Sequence, residues 1–192
     1  MALVANGDLE ALGVLFDRYQ ERLYAFFVRY TGRRDVSEDL VQDVFLRILR
    51  YKNSFRDDAP FTVWMYQLAR NAASDRFSKW RREHPLSEGD HERMQSEDRV
   101  HDLVAEREEQ TILHEALGRL SPDKREVLLL SRFEDLTYEE ISSIIHAPVG
   151  TIKARVHYAL KDLRREFRAL TEPPARSTGK ERPVEGRTGH PL

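Results

Sequence analysis

The side chains best able to do chemistry in this sequence are the Lys and Arg residues of GTIKARVHYALKDLRR, a stretch that begins at Gly150. From Gly150 to Arg168 six bases stand against two acids, a net charge of +4, although the whole chain carries −2. A second basic stretch, from Gln67 to Arg82, has five bases and one acid. Such side chains bind phosphate oxygens, so both stretches predict contact with a nucleic acid.

Patterns for catalysis or metal binding do not accompany these basic stretches. The sequence has no cysteine, which excludes disulfides, thiol catalysis and cysteine-ligated zinc. Its seven histidines show no metal-ligand spacing, and no nucleophile motif or glycine-rich phosphate loop is present. We therefore predict no catalytic residue, no metal, no cofactor and no small-molecule substrate.

The stretch LTYEEISSIIHAPVGTIKARVHYAL has the pattern of a helix-turn-helix. Thr137 and Glu140 form a capping box that opens a short helix. Pro148 is expected to end that helix, and Gly150 to permit a tight turn or to cap the next helix. The second helix has apolar residues at spacings of three and four, which form one buried face: Ile152, Val156, Leu160, Leu163 and Phe167.

The opposite face of this second helix follows from a rotation of about 100° per residue. Ala154 and Tyr158 lie opposite the apolar stripe, with His157 and Lys161 beside them. Lys153 and Arg155 lie on the shoulders. A recognition helix in a major groove turns its outer face to base edges and its shoulders to phosphates, so this helix is predicted to read DNA.

The first half of the chain also has helical spacing, from Leu9 to about Arg82. Gly32 interrupts it, and Ser37 is predicted to cap the next helix. The apolar stripe of that helix is Leu40, Val41, Val44, Phe45, Ile48 and Leu49. The loop YKNSFRDDAP ends at Pro60, and PFTVWMYQLARNAASDRFSKWRR returns to helix. No partner strand is visible for its TVWMY run, so we predict an all-α protein.

These patterns divide the chain into two small helical domains and two polar segments. The first domain spans residues 1–82 and the second spans 108–170. Residues 83–107 are a flexible acidic linker, since Glu83 to Glu109 has ten acids and three bases. Residues 171–192, which hold four of the eight prolines, are predicted to be a disordered tail. The N-terminus lacks a signal peptide and no apolar run could span a membrane, so we expect a soluble, cytoplasmic protein.

At these motifs the chain resembles the extracytoplasmic-function (ECF) group of bacterial sigma factors. YEEISSIIHAPVGTIKARVHYALKDLR is similar to region four of that family, a helix-turn-helix. LFDRYQERLYAFF, SEDLVQDVFLRILRYKNSF and PFTVWMYQLARNAASDRFSKWRR are similar to region two, a helical bundle. The resemblance implies a non-catalytic subunit that binds RNA polymerase core at its clamp and flap, recognises the −10 and −35 promoter elements, and supports DNA opening.

The resemblance also implies roles for individual residues. Core polymerase is expected to contact Asp39, Gln42 and Asp43. The −10 element is expected to contact Phe55, Arg70, Asn71, Arg76 and Lys79. Phe55 begins the loop that in this family captures an unstacked base. The −35 element is expected to contact Thr151, Lys153, Ala154, Arg155, His157, Tyr158 and Lys161. The family further implies an anti-sigma factor as a partner, and a location on the nucleoid with polymerase or at the membrane with that partner.

Two positions of the recognition helix depart from the family pattern. The family commonly has Ser where this chain has Ala154, and Arg where it has Tyr158. Ala154 can meet a thymine methyl group but cannot donate a hydrogen bond, and Tyr158 cannot make the bidentate contact of Arg to guanine. We therefore predict a −35 preference that differs from the common one.

Two other functions remain as alternatives. The first is a helix-turn-helix regulator that does not bind polymerase core, which the region-two residues, Asp43 above all, would distinguish. The second is an enzyme, for which the sequence supplies no site.

Overall fold

The computed structural model describes residues 1–56, 58–83 and 106–171. Within them the chain forms α-helices, a 3₁₀ turn at Lys52–Ser54 and no strand, so the all-α prediction is confirmed. The helices are α1 (Ala2–Ala5), α2 (Leu9–Thr31), α3 (Arg34–Tyr51), α4 (Phe61–Glu83), α5 (Glu106–Gly118), α6 (Pro122–Arg132), α7 (Tyr138–Ile145) and α8 (Val149–Thr171). The predictions for most of the acidic linker and for the tail lie outside the described residues.

Helices α2, α3 and α4 pack on one another to form the first half. The Asp8 side chain caps α2 by accepting from Ala11 N at 3.0 Å. Gly32 ends α2 in the left-handed region at φ 73°, a conformation that costs glycine little. The buried face of α3 is as predicted except at its last position, where Leu49 is exposed.

The prediction that Ser37 caps α3 is wrong. The N-cap lies four residues earlier, at Arg33, and the helix begins at Arg34. Arg33 makes no side-chain cap hydrogen bond, and its own N–H donates to the Thr31 hydroxyl at 3.0 Å. Ser37 is fully buried inside the first turn and donates back to Arg33 O, a local bond that a helical serine can make without leaving the helix.

Helices α5 to α8 form the second half. Ser121 stands at the N-cap of α6 with Pro122 at the first helical position, although the Ser121 side chain makes no cap hydrogen bond. The capping box of α7 is confirmed, with Thr137 Oγ1 accepting from Glu140 N and the Glu140 carboxylate accepting from Thr137 N.

The turn between α7 and α8 differs from the predicted one. Helix α7 ends at Ile145, before Pro148 can end it, because His146 adopts the left-handed conformation at φ 58° and its N–H bonds Ser142 O. Gly150 makes neither the turn nor the cap, since it lies within the first turn of α8. Ser142 Oγ donates to Ala147 O at 2.6 Å and so holds the turn in place.

The two halves share one continuous apolar core. Helix α4 packs on α7, and α2 packs on α5 and α6. The core runs from Phe27 and Met65 of the first half to Leu128 and Ile141 of the second. No helix among the described residues is long and apolar enough to cross a membrane.

Candidate nucleic-acid interface

Helices α7 and α8 form the predicted helix-turn-helix, with α8 in the place of a recognition helix. Ile152, Val156 and Ala159 are buried on its inner face. Leu160, Leu163 and Phe167, which continue the predicted stripe, are half-buried. Since this face is held against α5, α6 and α7, the opposite face of α8 is left for a ligand.

The outer face of α8 carries the side chains that the sequence places there. Lys153, Ala154, His157, Tyr158 and Lys161 are exposed, whereas Thr151 and Arg155 are half-buried. Tyr158 is 58% exposed, which is unusual for so large a ring on a packed helix. The His157 ring meets it edge-on at a centroid distance of 5.6 Å, so the two rings form one exposed aromatic ridge.

Lys153 on the shoulder of α8 is oriented by α7. Its Nζ lies 6.0 Å from the centroid of the Tyr138 ring, at the limit of a cation–π contact. This contact leaves the ammonium group at the edge of the helix-turn-helix, where a phosphate would pass.

Other bases of α8 are engaged by acids of the same half. Lys124 Nζ of α6 lies 2.5 Å from Asp162 Oδ2, and Arg165 Nη1 lies 3.1 Å from Asp162 Oδ1. The hydrogen bond from Lys124, followed by the charges of Lys124 and Arg165, lowers the pKa of the Asp162 carboxyl below its usual range. Arg165 also pairs with Glu166, so its charge is already partly neutralised. Within α8, Asp162 and Glu166 offset two of the four bases from Lys161 to Arg168, whereas residues 150–160 carry Lys153 and Arg155 and no acid.

The residues predicted to contact core polymerase lie on the outer side of α3. Asp39 and Gln42 are exposed and Asp43 is half-buried. Asp39 Oδ2 lies 3.1 Å from Arg76 Nη2 of α4, a residue predicted to bind DNA. Asp43 Oδ2 lies 3.1 Å from Arg47 Nε, and Arg47 Nη2 lies 2.8 Å from Asp75 Oδ2. These ion pairs join the predicted polymerase surface to the predicted DNA surface.

The predicted −10 residues divide between an aromatic cluster and α4. Phe55, half-buried at the end of the 3₁₀ turn, meets Trp64 edge-on at 5.4 Å and Phe61 at 6.1 Å. Trp64 is half-buried and packs against the core of the fold. On α4, Asn71, Arg76 and Lys79 are exposed.

Arg70 does not lie with the other predicted −10 residues. Its Nε is enclosed by protein and lies 3.1 Å from Glu126 Oε1 of α6, in the second half. Glu126 is only 8% exposed. Burial raises the pKa of the Glu126 carboxyl, and the nearby guanidinium of Arg70 opposes that rise. A side chain predicted to hold phosphate is thus turned toward the other half of the molecule.

Sequence reasoning missed the charged residues that lie between the halves. They are Arg22, Arg125, Glu126 and Glu134, of which the last three are buried. One signal could have found two of them. Arg125 and Glu126 directly precede Val127 to Leu130, and a short helix with four consecutive apolar residues is enclosed on several sides, so charged residues that adjoin the run are candidates for burial.

Comparison with known proteins agrees with this architecture. The family model for "Sigma-70 region 2" matches residues 15–83, and that for "Sigma-70, region 4" matches residues 110–163. The RNA polymerase sigma-H factor of Pseudomonas aeruginosa is 29% identical over 177 residues, which cover 87% of this chain and 91% of the relative. The ECF RNA polymerase sigma-E factor of Escherichia coli is 32% identical over 165 residues, which cover 81% and 86%.

This chain belongs to the ECF sigma factors. The resemblance seen in the sequence is therefore confirmed, and with it the function of directing RNA polymerase to promoters. Sigma factors are non-catalytic initiation factors. The described residues of this sigma factor contain no cluster of His, Asp and Glu that could hold a metal ion.

Solved structures share the fold of this sigma factor. The sigma factor RpoE from Bartonella quintana, solved in complex with the anti-sigma factor NepR, is 26% identical with a TM-score of 0.65. The match covers 80% of this chain and 98% of RpoE. CnrH, solved with the cytosolic domain of CnrY, has the same TM-score at 22% identity and covers 88% of this chain and 94% of CnrH.

Proposed function

We propose that this sigma factor binds RNA polymerase core through α3 and recognises promoter DNA through α4 and α8. The observation that carries the proposal is the placement of one basic, outward-facing helix in each half. The proposed domains are residues 1–82 for core and −10 binding and 108–170 for −35 binding. An acidic linker, residues 83–107, joins them, and residues 171–192 form a tail.

Core polymerase is proposed to dock on Asp39, Gln42 and Asp43. The two carboxylates are 59% and 42% exposed, and the apolar side chain of Leu46, one turn beyond Gln42, is 66% exposed. An exposed apolar residue beside acids suits an interface with a basic rim and an apolar centre. The clamp of polymerase would meet this surface, and the flap would meet the second half.

The −10 element is proposed to meet Phe55, Asn71, Arg76 and Lys79, with Arg70 joining when it is released from Glu126. Phe55 is half-buried and makes T-shaped contacts with Phe61 and Trp64, and a ring at such a position could turn toward an unstacked base. Stacking of a flipped base on an aromatic ring contributes about 1–3 kcal/mol, enough to offset part of the cost of opening a base pair.

The −35 element is proposed to meet the outer face of α8. Ala154 and Tyr158 would contact base edges, where apolar groups favour the thymine methyl. The phosphates on either side would be contacted by Thr151, Lys153, Arg155, His157 and Lys161. These contacts would supply affinity that depends on salt more than on sequence.

An anti-sigma factor is the third proposed partner. RpoE of Bartonella quintana was solved with the anti-sigma factor NepR, and this chain shares the fold of RpoE. The proposed site of action is the cytoplasm, on the nucleoid with polymerase or at the membrane when the anti-sigma factor is anchored there.

Binding to purified core polymerase tests the proposal against the alternative of a regulator that acts without core. Asp43→Arg reverses a charge at the proposed interface, and Asp17→Arg makes the same change on an exposed position of α2. We expect Asp43→Arg to lower core affinity at least about tenfold, since like charges at an interface cost several kcal/mol. Asp17→Arg should bind core as the wild type does. Equal affinity for both variants, or no binding by the wild type, would favour the regulator.

A further inference from the structure

The short helix α1 is joined to α2 by a tight connection. Asp8 N donates to Leu3 O at 3.1 Å, and Gly7 N donates to Val4 O at 3.0 Å. These two bonds form a Schellman motif, in which Gly7 takes the left-handed conformation at φ 93°. Asp8, the residue that completes the motif, also caps α2 through its side chain. The connection therefore fixes the direction of α1 relative to α2.

One side of α1 is buried in a contact of its own. Val4 is 1% exposed, whereas Leu3 beside it is 61% exposed. Val4 does not belong to the continuous core that joins the two halves. Helix α1 packs on α2 and on the 3₁₀ turn Lys52–Ser54. We infer that Val4 is buried in this contact, so that the contact fastens α1 to the turn.

The 3₁₀ turn is held by α1 as well as by α3, from which it continues. Toward α1, the half-buried Lys52 places its Nζ 3.9 Å from the position that a Cβ would take at Gly7. Toward α3, Ser54 Oγ donates to Tyr51 O at 2.8 Å. The turn therefore lies between the last residue of α3 and the connection that ends α1.

The same turn leads directly into the loop that is proposed to capture an unstacked −10 base. Phe55 follows Ser54 and has an extended backbone, at φ −66° and ψ 133°. One planar peptide bond joins the two residues, so a displacement of the turn would move the backbone of Phe55 with it. The position of Phe55 thus depends on what holds the turn.

A ring that captures a base binds more tightly when the loop that carries it is ordered in advance. Fixing the backbone of one residue costs free energy equivalent to about a 5- to 30-fold loss of affinity. A segment that holds the turn before DNA arrives removes this cost from the binding step. Helix α1 is placed to do so, because its direction is fixed by α2 and its buried side faces the turn.

We propose that α1 is a brace for the −10 loop, in which Val4 and the connection at Gly7 hold the 3₁₀ turn and so position Phe55 for the unstacked base. Val4 is a positioning residue, since its side chain is buried and acts through Phe55. The inference rests on the proposed role of Phe55 in −10 recognition. It adds to that site a helix that lies outside the residues expected to contact DNA.

Two pairs of substitutions distinguish a brace from a general effect of mutation. Val4→Asp puts a charge into the buried contact and should release α1, while Leu3→Asp adds the same charge at the exposed position beside it. Gly7→Val should strain the left-handed turn, while Gly13→Val adds the same side chain within α2, in open space among the described residues. Val4→Ile keeps an apolar side chain in the contact and should behave as the wild type does.

Binding of a labelled −10 single-stranded oligonucleotide by the complex with core polymerase measures the effect. We expect Val4→Asp and Gly7→Val to weaken this binding about 5- to 30-fold. Their affinities for core and for a −35 duplex should stay within about twofold of wild type. Leu3→Asp and Gly13→Val should bind all three ligands as the wild type does. Amide hydrogen exchange across residues 52–56 should become faster in Val4→Asp and not in Leu3→Asp.

A double-mutant cycle with Phe55→Ala tests whether α1 acts through this ring. We expect Val4→Asp to cause little further loss of −10 affinity once Phe55 is replaced, because the two positions then share one effect. Unchanged −10 binding by Val4→Asp, a full further loss in the Phe55→Ala chain, or an equal loss of core and −35 affinity would overturn the proposal. Phe55→Ala alone reports on the proposed function, since wild-type −10 affinity in that variant would refute the role of Phe55.

Discussion

Arg76 Nη2 of α4 lies 3.1 Å from Asp39 Oδ2 of α3, which joins a residue proposed to bind DNA to one proposed to bind polymerase. Both side chains are about half exposed, at 47% and 59%. An ion pair in that setting contributes less than about 1 kcal/mol, so either partner can exchange it for another ligand at little cost. The pair therefore orients both side chains and still leaves each of them able to bind another ligand.

Arg76 is expected to bind promoter phosphate once polymerase has docked. Arg76→Ala should weaken promoter binding by the core complex and lower the slope of log affinity against log salt by about one, while affinity for core stays within about twofold of wild type. Titration of a labelled promoter at several salt concentrations measures the slope. Arg34→Ala, which removes an exposed base from the start of α3, is the control. An unchanged slope in Arg76→Ala would remove this residue from the DNA surface.

Tyr158 is expected to determine the −35 preference. Tyr158→Arg should shift the preferred sequence toward guanine at one position, because a bidentate Arg–guanine contact discriminates by about 1–3 kcal/mol. Lys161→Ala should instead weaken binding to all sequences alike. Selection from a library randomised at −35 measures both effects. The same preferred sequence for wild type and Tyr158→Arg would contradict the assignment.

Arg125 is expected to be a major source of stability. Arg125→Met would leave carbonyls at the ends of α2 and α5 without their charged donor, and should lower the free energy of unfolding by about 3 kcal/mol. Denaturation in urea measures the loss. Arg132→Ala, at an exposed position of the same helix, should change stability by less than about 0.5 kcal/mol. A loss for Arg125→Met no greater than that of this control would show that the buried guanidinium contributes little.

Glu126 is expected to make stability depend on pH. Burial raises its pKa above the ordinary 4.5, against the opposing charges of Arg70 and Arg155. A carboxyl whose pKa is raised by folding favours the folded state when protonated. Its contribution is complete below pH 4.5 and is lost as pH rises through the raised pKa.

The comparison with Glu126→Gln isolates this contribution, since other carboxyls titrate equally in both proteins. The free energy of unfolding of the variant minus that of wild type should increase from about pH 4.5 toward neutrality. Urea denaturation at a series of pH values gives this difference. A difference that is flat or falls with pH would mean that attraction to Arg70 outweighs the burial of the carboxyl.

Local patterns predicted the local structure well. The capping box at Thr137, the apolar face of α8 and the exposure of Tyr158 all follow from short-range spacing, which the helix imposes wherever it forms. The errors are also local. At Ser37 and Gly150 the sequence offered a suitable residue, but Arg33 is the N-cap of α3 and His146 makes the turn before α8.

The contact between the halves could not be predicted in the same way. Arg22 bonds Glu134 across 112 residues, and Arg125 bonds Tyr30 across 95. A sequence shows a buried charged residue and a solvated one by the same letter. The two differ only in the partners that the fold gives them. The candidate site was therefore predicted as separate surfaces, while the engagement of Arg70 by Glu126 emerged only from the packing.

Transcription from a promoter library by purified core polymerase and this protein tests the central claim most directly. We predict initiation that requires both proteins, at promoters that share one −10 and one −35 element, and its loss with Asp43→Arg. No protein-dependent transcription, or transcription that Asp43→Arg leaves intact, would contradict the assignment of α3 to polymerase and of α4 and α8 to the promoter.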